Sequence, residues 1–358
     1  MTQDGQVHVT RLLADAVAAR VTPGAIVEAG TAARASWTAT AGRTSGAADA
    51  APVTSATMYD LASLTKVLAT TTLAMRHDAS GALPLNTCVA DRLPGFGQHP
   101  RMTVADLLQH AAGLPAHRPY YLEVAGRAGY LARIAAEPLV YAPRARHEYT
   151  DLGFILLGLM IEDAGDGSLA EQFDAFVSET LDGIEMGYGV RHAWLGRVAP
   201  TTVSPWREQM LVARVHDDNA AALGGAAGHA GLFGTAAAVG AVARWYLSLW
   251  TGRVLASAGI AAETARTFAA RGAVPGSSRA LGWDTMLPTS SCGSRLSARA
   301  VGHTGFTGTS LWIDPGLDLY VVCLTNRVHF ASDGDGVKAL RVAVHDAVAG
   351  AARRALAD

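Results

Sequence analysis

The sequence is poor in lysine, in cysteine and in long apolar runs. Of its 29 basic residues only two are lysines, Lys66 and Lys338. The three cysteines, Cys88, Cys292 and Cys323, are too few and too scattered for a disulfide framework or a zinc site. No stretch of about 18 apolar residues is present, so the sequence predicts no membrane-spanning helix.

Strong charge of either sign is also missing. The formal net charge is −2, and no run of basic residues occurs, which argues against a nucleic-acid-binding surface. The first residues have neither a positively charged region nor a long apolar run, so they do not predict a secretory signal. We therefore expect a soluble, cytoplasmic protein.

The 358 residues suffice for one large domain or two interleaved ones. Apolar residues at helical spacing predict helices at 8–20, 63–78, 102–110, 121–136, 149–162, 169–182, 235–251 and 334–355. Short runs bounded by turn residues predict strands at 25–30, 35–42, 280–286, 300–305, 309–314 and 319–325. Because the strands fall at both ends of the chain, the expected fold class is α/β (α+β). An antiparallel sheet flanked by helices would form from both termini, with an all-helical domain inserted.

One of the two lysines stands three residues after a serine, in Ser63-Leu-Thr-Lys66. Residues three apart on a helix share a face, so the hydroxyl and the amine are predicted to lie side by side. A serine hydroxyl needs a base to become a strong nucleophile, and a lysine whose pKa is lowered can be that base. Arginine could not replace it because the guanidinium does not deprotonate in proteins. The alternative is a surface lysine on an ordinary helix.

Two more motifs follow in order, Tyr149-Thr-Asp151 and His303-Thr-Gly305. With Ser63-Leu-Thr-Lys66, they make the chain resemble the serine β-lactamase and penicillin-binding-protein superfamily, most closely its class C and esterase-like branch. The resemblance extends over about residues 8–350. It implies a sheet domain of residues 1–58 and 235–358, a mainly helical domain of residues 59–234, and an active site in the groove between them.

The resemblance implies catalytic roles for Ser63, Lys66 and Tyr149. The Tyr149 phenol could move protons if a cation such as Lys66 stabilises the phenolate; the alternative is a tyrosine that caps a core helix. Asp151 stands where the family has asparagine. It can accept hydrogen bonds from Lys66 but, when ionised, cannot donate one to a substrate. Its charge is expected to keep Lys66 protonated, which leaves more of the base role to Tyr149.

The third motif is expected to bind the substrate at a strand edge. The resemblance implies an oxyanion hole made by the backbone N–H groups of Ser63 and Phe306, with His303 and Thr304 positioning the substrate. Gly305 would let the substrate approach the backbone closely. His303 replaces the familiar lysine and is a weaker anchor for a carboxylate, so esters or amides without an obligatory carboxylate are favoured. The alternative for His303 is a structural histidine in a sheet.

Three further residues are candidates for lining the cleft. Gln109 lies in the family-like stretch 107–115, and His216 and His229 lie in stretches that resemble amidases acting on the N-acetylmuramyl–L-alanine bond. Hydrogen bonds that only anchor loops are the alternative for the histidines. A metal held by His216 and the aspartates that follow it is disfavoured, because adjacent ligands on one loop lack a repeated spacing.

The sequence therefore predicts a serine hydrolase that forms an acyl-enzyme on Ser63 and cleaves a small-molecule ester or amide, with acyl transfer to an amine also open. The second hypothesis is a cell-wall-fragment amidase or a D-amino-acid peptidase, for which the partner is a peptidoglycan fragment. The third is a non-catalytic binding protein on the same scaffold. No metal, organic cofactor, nucleic acid or membrane is expected, and the oligomeric state is left open.

Overall fold

A computed structural model describes residues 3–181, 183–330 and 334–357 of the chain. Within these residues the α-helices are α1 (Gln3–Ala18), α2 (Thr71–Ser80), α3 (Val104–Leu108), α4 (Gly126–Ala135), α5 (Asp151–Ala164), α6 (Leu169–Thr180), α7 (Asp218–Ala222), α8 (Ala236–Trp250), α9 (Ala262–Ala269) and α10 (Asp335–Ala357). None of the described helices is long and apolar enough to cross a membrane.

The strands of the described residues are β1 (Gly24–Gly30), β2 (Ala35–Gly42), β3 (Tyr59–Asp60), β4 (Met186–Tyr188), β5 (Val203–Ser204), β6 (Gln209–Met210), β7 (Leu232–Gly234), β8 (Ala256–Ser257), β9 (Ile260–Ala261), β10 (Asp284–Thr285), β11 (Val301–Thr304), β12 (Ser310–Asp314) and β13 (Leu319–Thr325). Six of them form one sheet in the order β10-β11-β12-β13-β1-β2, and each neighbouring pair is antiparallel. The first two strands of the chain thus join its last four strands in one antiparallel sheet, which confirms the predicted fold class.

Alternation along the central strands gives the sheet two buried faces. Ile26 of β1 pairs with Leu324 of β13, and both belong to the cluster that contains α8. The next pair, Val27 and Cys323, belongs to the cluster that contains α1 and α10. Successive side chains of a strand point to opposite faces, so every residue of β1 and β13 is buried. The sheet is therefore covered by helices on both sides.

The cluster on the α8 face continues into the helices of the central part of the chain. It includes eight residues of α5, from Leu152 to Ile161 with the two glycines excepted, so this apolar helix is a core helix as predicted. Thr103 caps α3 through a reciprocal capping box with Asp106, as its position before an apolar run suggests. The division into two domains stays a prediction.

The structure departs from the predicted secondary structure in several places. Only Asp284–Thr285 of the predicted strand 280–286 pairs with the sheet, because the preceding residues form a tight turn in which Ala280 N donates to Trp283 O. Gly282 in this turn has a φ of 85°, a conformation that favours glycine. The short helix α9 was not predicted at all.

Candidate active site

Ser63 lies in a strained turn between β3 and the helical segment that leads into α2. Ala62 has a φ of 47°, which is unusual for a residue other than glycine. The Asp60 carboxylate accepts a hydrogen bond from Ala62 N at 2.8 Å and holds the turn. Thr309 Oγ1 donates to Leu61 O at 3.1 Å and ties it to the loop that follows β11. The serine is thus fixed from both sides at the start of the helical segment.

Lys66 is completely buried beside Ser63. Its Nζ donates to Ser63 Oγ at 3.0 Å, to Asp151 Oδ1 at 2.8 Å and to His229 O at 3.3 Å. An ammonium group has three N–H donors, and these three acceptors use all of them. Burial lowers the pKa of Lys66. The Asp151 charge and, after it, Tyr149 raise this pKa by more than burial lowers it, so the net shift is upward. The raised pKa favours the charged form of Lys66, which donates to the serine hydroxyl.

The backbone around Lys66 departs from the predicted α-helix. Residues Lys66–Thr70 form a π-helical turn, which leads directly into α2. Such turns are rare in proteins, and those that occur are often found at functional sites. All five of its residues are buried. The predicted juxtaposition of Ser63 and Lys66 is nevertheless present, since Lys66 N bonds back to Ser63 O at 3.1 Å.

Asp151, the first residue of α5, joins Lys66 to a histidine that faces the cavity. Its Oδ1 accepts from Lys66, and its Oδ2 lies 3.7 Å from His117 Nδ1. Burial raises the pKa of Asp151, but the Lys66 charge and the His117 contact lower it by more, so the carboxylate stays ionised. The same contact raises the pKa of His117. This agrees with the expectation that Asp151 keeps Lys66 protonated.

Tyr149 lies among cationic and aromatic groups. Its ring centroid is 4.8 Å from Lys66 Nζ and 5.3 Å from the guanidinium carbon of Arg279. The ring also lies 4.5 Å from that of His110 and 5.8 Å from that of His303. Cations this close to an aromatic ring are attracted to its face.

His303 is neutral and offers a lone pair. Its Nδ1 is 2.9 Å from Thr304 O, and a carbonyl only accepts, so the proton lies on Nδ1. Nε2 is then an acceptor, and it is buried without a hydrogen-bond partner in the described part of the chain. Burial lowers the pKa of His303 well below its usual range, and the Arg279 and Lys66 charges lower it further.

The loop after β11 presents an exposed aromatic side chain and a backbone N–H group at Phe306. Phe306 is 62% exposed and its ring stacks on that of His216 at 5.5 Å. Among the described residues, the backbone N–H groups of Ser63 and Phe306 donate no hydrogen bond to another backbone group. The packing also requires glycine at position 305, because a Cβ there would collide with Leu61 O and Thr309 Oγ1; close approach of a substrate to this backbone stays a prediction.

A cavity of about 710 Å³ brings most of the predicted residues together. Its wall includes Ser63, Tyr149, Asp151, His216, His229, His303, Thr304, Gly305 and Phe306. Lys66 is not part of the wall but donates a hydrogen bond to Ser63, which is. Gln109 is not on the wall, which corrects its prediction as a cleft residue. Its side-chain amide instead donates to Ala105 O at 3.3 Å, one turn back along α3.

The histidines of the amidase-like stretches both line the cavity and anchor loops. His229 Nε2 lies 2.8 Å from Asp217 Oδ1, and Asp217 also caps α7 by accepting from Ala220 N. His216 N donates to Asp60 Oδ2 at 2.6 Å. Among the described residues, no group of three or more histidine, cysteine or acidic side chains is placed to hold a metal ion.

His117 and Arg279 are among the cavity residues that escaped prediction. His117 follows the predicted stretch 107–115 by two residues, and Arg279 lies on the turn before β10. Neither belongs to a motif, so only the fold brings them to Ser63.

Comparison with known proteins identifies relatives over most of the chain. A family model described as Beta-lactamase matches residues 9–345. A protein of Escherichia coli (strain K12) named "Putative D-alanyl-D-alanine carboxypeptidase" is 29% identical over 315 residues, which cover 77% of this chain and 70% of that protein. An N-acetylmuramyl-L-alanine amidase of Bacillus subtilis (strain 168) is 30% identical over 312 residues, which cover 76% of this chain and 68% of the relative.

A solved structure of similar fold is a class C beta lactamase from Rhodobacter sphaeroides. It superposes with a TM-score of 0.72 at 21% identity and covers 96% of this chain and 99% of its own. At this identity the likeness shows a shared fold.

Proposed function

The chain belongs to the β-lactamase family of serine hydrolases, and from that premise we propose that it cleaves an ester or amide through an acyl-enzyme on Ser63. The observation that carries the proposal is the contact of 3.0 Å between Lys66 Nζ and Ser63 Oγ. A buried, charged lysine held by Asp151 is costly unless it has a task, and here one of its three donors is directed at the serine.

The first step is attack of Ser63 Oγ on the carbonyl carbon. Lys66 already carries its proton, so Tyr149, acting as a phenolate stabilised by Lys66, would take the hydroxyl proton. The N–H groups of Ser63 and Phe306 would hold the oxyanion, and loss of one such donor typically costs about 10²–10³ in rate. Tyr149 then gives the proton to the leaving group as the tetrahedral intermediate collapses.

The second step releases the acyl group. Water, or an amine in the case of acyl transfer, attacks the Ser63 ester and loses a proton to Tyr149. The proton returns to Ser63 Oγ as the ester bond breaks, which restores the enzyme. We place this site in the groove between the sheet domain (1–58 and 235–358) and the helical domain (59–234).

The decisive experiment is intact mass spectrometry after incubation with a fluorophosphonate, a p-nitrophenyl ester and a penicillin in parallel. An adduct on the wild type that is absent in Ser63→Ala is the expected result. Absence of an adduct with all three reagents would favour the non-catalytic alternative or a narrow specificity.

Lys66→Arg separates lysine chemistry from charge. The guanidinium keeps a cation for Asp151, so the protein should stay folded by circular dichroism. Its planar fork cannot direct single N–H donors to Ser63, Asp151 and His229 O as the compact ammonium does, so turnover should fall at least about 10²-fold, the usual cost of losing one such donor. Retained turnover would remove lysine from the mechanism.

A second candidate is hydrolysis of an amide in a peptidoglycan fragment. It is favoured by the names of the two relatives, a carboxypeptidase and a muramyl-alanine amidase. Mass spectrometry of muropeptides after incubation would distinguish loss of a terminal D-alanine from release of the whole peptide. Ester turnover with intact muropeptides would exclude this candidate.

A further inference from the structure

His110 holds the backbone on both sides of Tyr149. Its carbonyl accepts from Glu148 N at 2.9 Å, and its side-chain Nδ1 accepts from Thr150 N at 3.1 Å. The residue before Tyr149 and the residue after it are thus both bound to the same histidine. A backbone fixed at both neighbouring positions leaves the side chain between them little freedom to shift.

The imidazole of His110 also packs against the phenol ring of Tyr149. The His110 ring centroid lies 4.5 Å from that of Tyr149 and 5.0 Å from that of Phe154, a core residue of α5. The His110 side chain is completely buried. Ring pairs at these distances attract each other, so His110 fixes the ring of Tyr149 as well as its backbone.

The contact with Thr150 requires one charge state and one tautomer of His110. Thr150 N can donate to Nδ1 only when that nitrogen has a lone pair, so the neutral ring carries its proton on Nε2. Burial lowers the pKa of His110 well below its usual range, and the nearby charges of Arg279 and Lys66 lower it further. The imidazole is therefore a constant acceptor at neutral pH.

The backbone of His110 itself is strained. Its φ is 54°, in the left-handed region that few residues other than glycine adopt. His110 N donates to Leu107 O at 3.1 Å, and its carbonyl accepts a further hydrogen bond from Tyr141 Oη at 3.1 Å. Strain of this kind persists only where the surroundings enforce it, and it is concentrated at functional sites.

The residues that follow His110 extend the same contact. Thr150 Oγ1 donates to Pro115 O at 2.6 Å, and Asp151 N donates to Ala116 O at 3.0 Å. The chain that carries Tyr149 into α5 is therefore bound along its length by one neighbouring segment, which begins at His110.

From these contacts we propose that His110 is a positioning residue for Tyr149 and holds the phenol where it can exchange a proton with Ser63 and the leaving group. The inference rests on the proposed function. In the part of the chain that the structure describes, His110 is not among the residues that line the cavity, so it acts through Tyr149 and not on the substrate.

The test is a double-mutant cycle of His110→Phe and Tyr149→Phe, read as Ser63-dependent hydrolysis of 4-nitrophenyl acetate. His110→Phe keeps an aromatic ring but removes the acceptor for Thr150 N. Its kcat should fall about 10²-fold, the cost of misplacing a reacting group by about 1 Å, with KM little changed. In the Tyr149→Phe background the same substitution should alter kcat less than about twofold, because the residue that His110 positions is gone.

His110→Asn is the conservative variant. Asparagine adopts the left-handed conformation readily, and its Oδ1 can replace Nδ1 as the acceptor for Thr150 N. Only the ring contact is lost, so kcat should fall by no more than about tenfold. Amide hydrogen exchange in the segment 148–151 should be faster in His110→Phe and near the wild-type rate in His110→Asn, which tests the Thr150 bond independently of activity. The same cycle with His110→Asn replaces the first one if His110→Phe does not fold.

The matched control is His99→Phe, a half-buried histidine whose ring lies 6.3 Å from that of Phe96, and it should keep the wild-type kcat. A wild-type kcat in folded His110→Phe, or a loss that multiplies in full with that of Tyr149→Phe, would overturn the inference and leave the proposed function standing. Equal losses in His110→Asn and His110→Phe would overturn the role of Nδ1. Absence of Ser63-dependent turnover in the wild type would overturn the proposed function and the inference together.

Discussion

The carboxylate at position 151 decides the charge of the lysine beside the serine. With Asp151 at 2.8 Å, Lys66 is an ammonium that polarises Ser63 and Tyr149 and cannot accept a proton. An asparagine would leave burial as the dominant influence, and burial lowers the pKa of Lys66. Replacing the Asp151 carboxylate by an amide would therefore change which of Lys66 and Tyr149 can act as the base.

We predict that Asp151→Asn changes the pH dependence of turnover. In the wild type Lys66 stays charged below its ordinary pKa of about 10.4, so it contributes no ionisation between pH 6 and 9. In the variant the pKa of Lys66 falls, and kcat should rise up to about tenfold per pH unit until the amine is neutral. The measurement is a pH–rate profile with 4-nitrophenyl acetate.

The control for this profile is Asp163→Asn, an exposed acid of the same helix that pairs with Arg127. It should reproduce the wild-type curve. Superimposable profiles for Asp151→Asn and wild type would show that Asp151 does not set the charge of Lys66.

Asp60 links the site to folding. Burial raises the pKa of Asp60 to about 6, although hydrogen bonds from His216 N and Ala62 N lower it. The unfolded value is about 3.9, so the protonated form is favoured in the native state. Its stabilising contribution is complete below pH 4 and is lost as the pH rises through 6.

We predict that the difference in unfolding free energy between wild type and Asp60→Asn falls by about 3 kcal/mol from pH 4 to pH 7, since one unit of pKa is about 1.4 kcal/mol. Urea unfolding at several pH values measures it. Asp15→Asn, at an exposed position of α1, should show a flat difference. A flat difference for Asp60→Asn as well would mean that its carboxyl titrates alike in both states.

At the scale of elements, the contact between α5 and the loop 224–231 positions Lys66. A Cβ at Gly228 would collide with Phe154 O, and Gly158 lies against the same backbone. Gly228 O accepts from Thr70 Oγ1 at 2.6 Å, and the next carbonyl, His229 O, accepts from Lys66. The glycine therefore lets the loop approach α5 closely enough to reach the lysine.

Gly228→Ala should destabilise the protein by about 1–3 kcal/mol, the usual cost of overpacking, and should lower kcat because His229 O moves away from Lys66. Urea midpoints and ester kinetics measure both effects. Gly196→Ala, where a Cβ would meet nothing within 4 Å, should stay within about 0.5 kcal/mol of wild type. Equal effects at the two positions would contradict the packing argument.

The elements that the sequence predicts correctly are those in which apolar residues along the chain coincide with buried positions in the structure. The strands of β1 and β13 and the apolar helix α5 carry continuous buried runs, and they were predicted within a few residues. The run 280–286 is short and bounded by turn residues and so predicts a strand, yet Trp283 is buried through a turn. Arg279 reaches Tyr149 only through that turn, and no local pattern records a contact across 130 positions.

At the scale of the whole molecule, the last helix holds the loop 305–309, in which we propose that Phe306 N–H is an oxyanion donor. Arg341 of α10 is buried, and its Nη2 donates to Gly305 O at 2.7 Å and to Thr309 O at 2.8 Å. Burial lowers the pKa of Arg341 to about 10, so it stays charged at neutral pH. The two carbonyls also accept hydrogen bonds within the loop itself, since Gly305 N donates to Thr309 O and Gly308 N donates to Gly305 O. Arg341 thus clamps a loop that is already closed.

We therefore predict that Arg341→Met lowers kcat more than stability. The carbonyls keep their backbone partners, and removing a buried charge relieves its desolvation cost, so unfolding by urea should change by less than about 2 kcal/mol. The Phe306 N–H would lose its fixed position, and kcat should fall toward the loss of about 10²-fold seen when an oxyanion donor is removed, with KM little changed. Arg354→Met on an exposed turn of the same helix should alter neither quantity. A loss of stability without a loss of kcat would show that α10 supports the sheet but not the oxyanion hole.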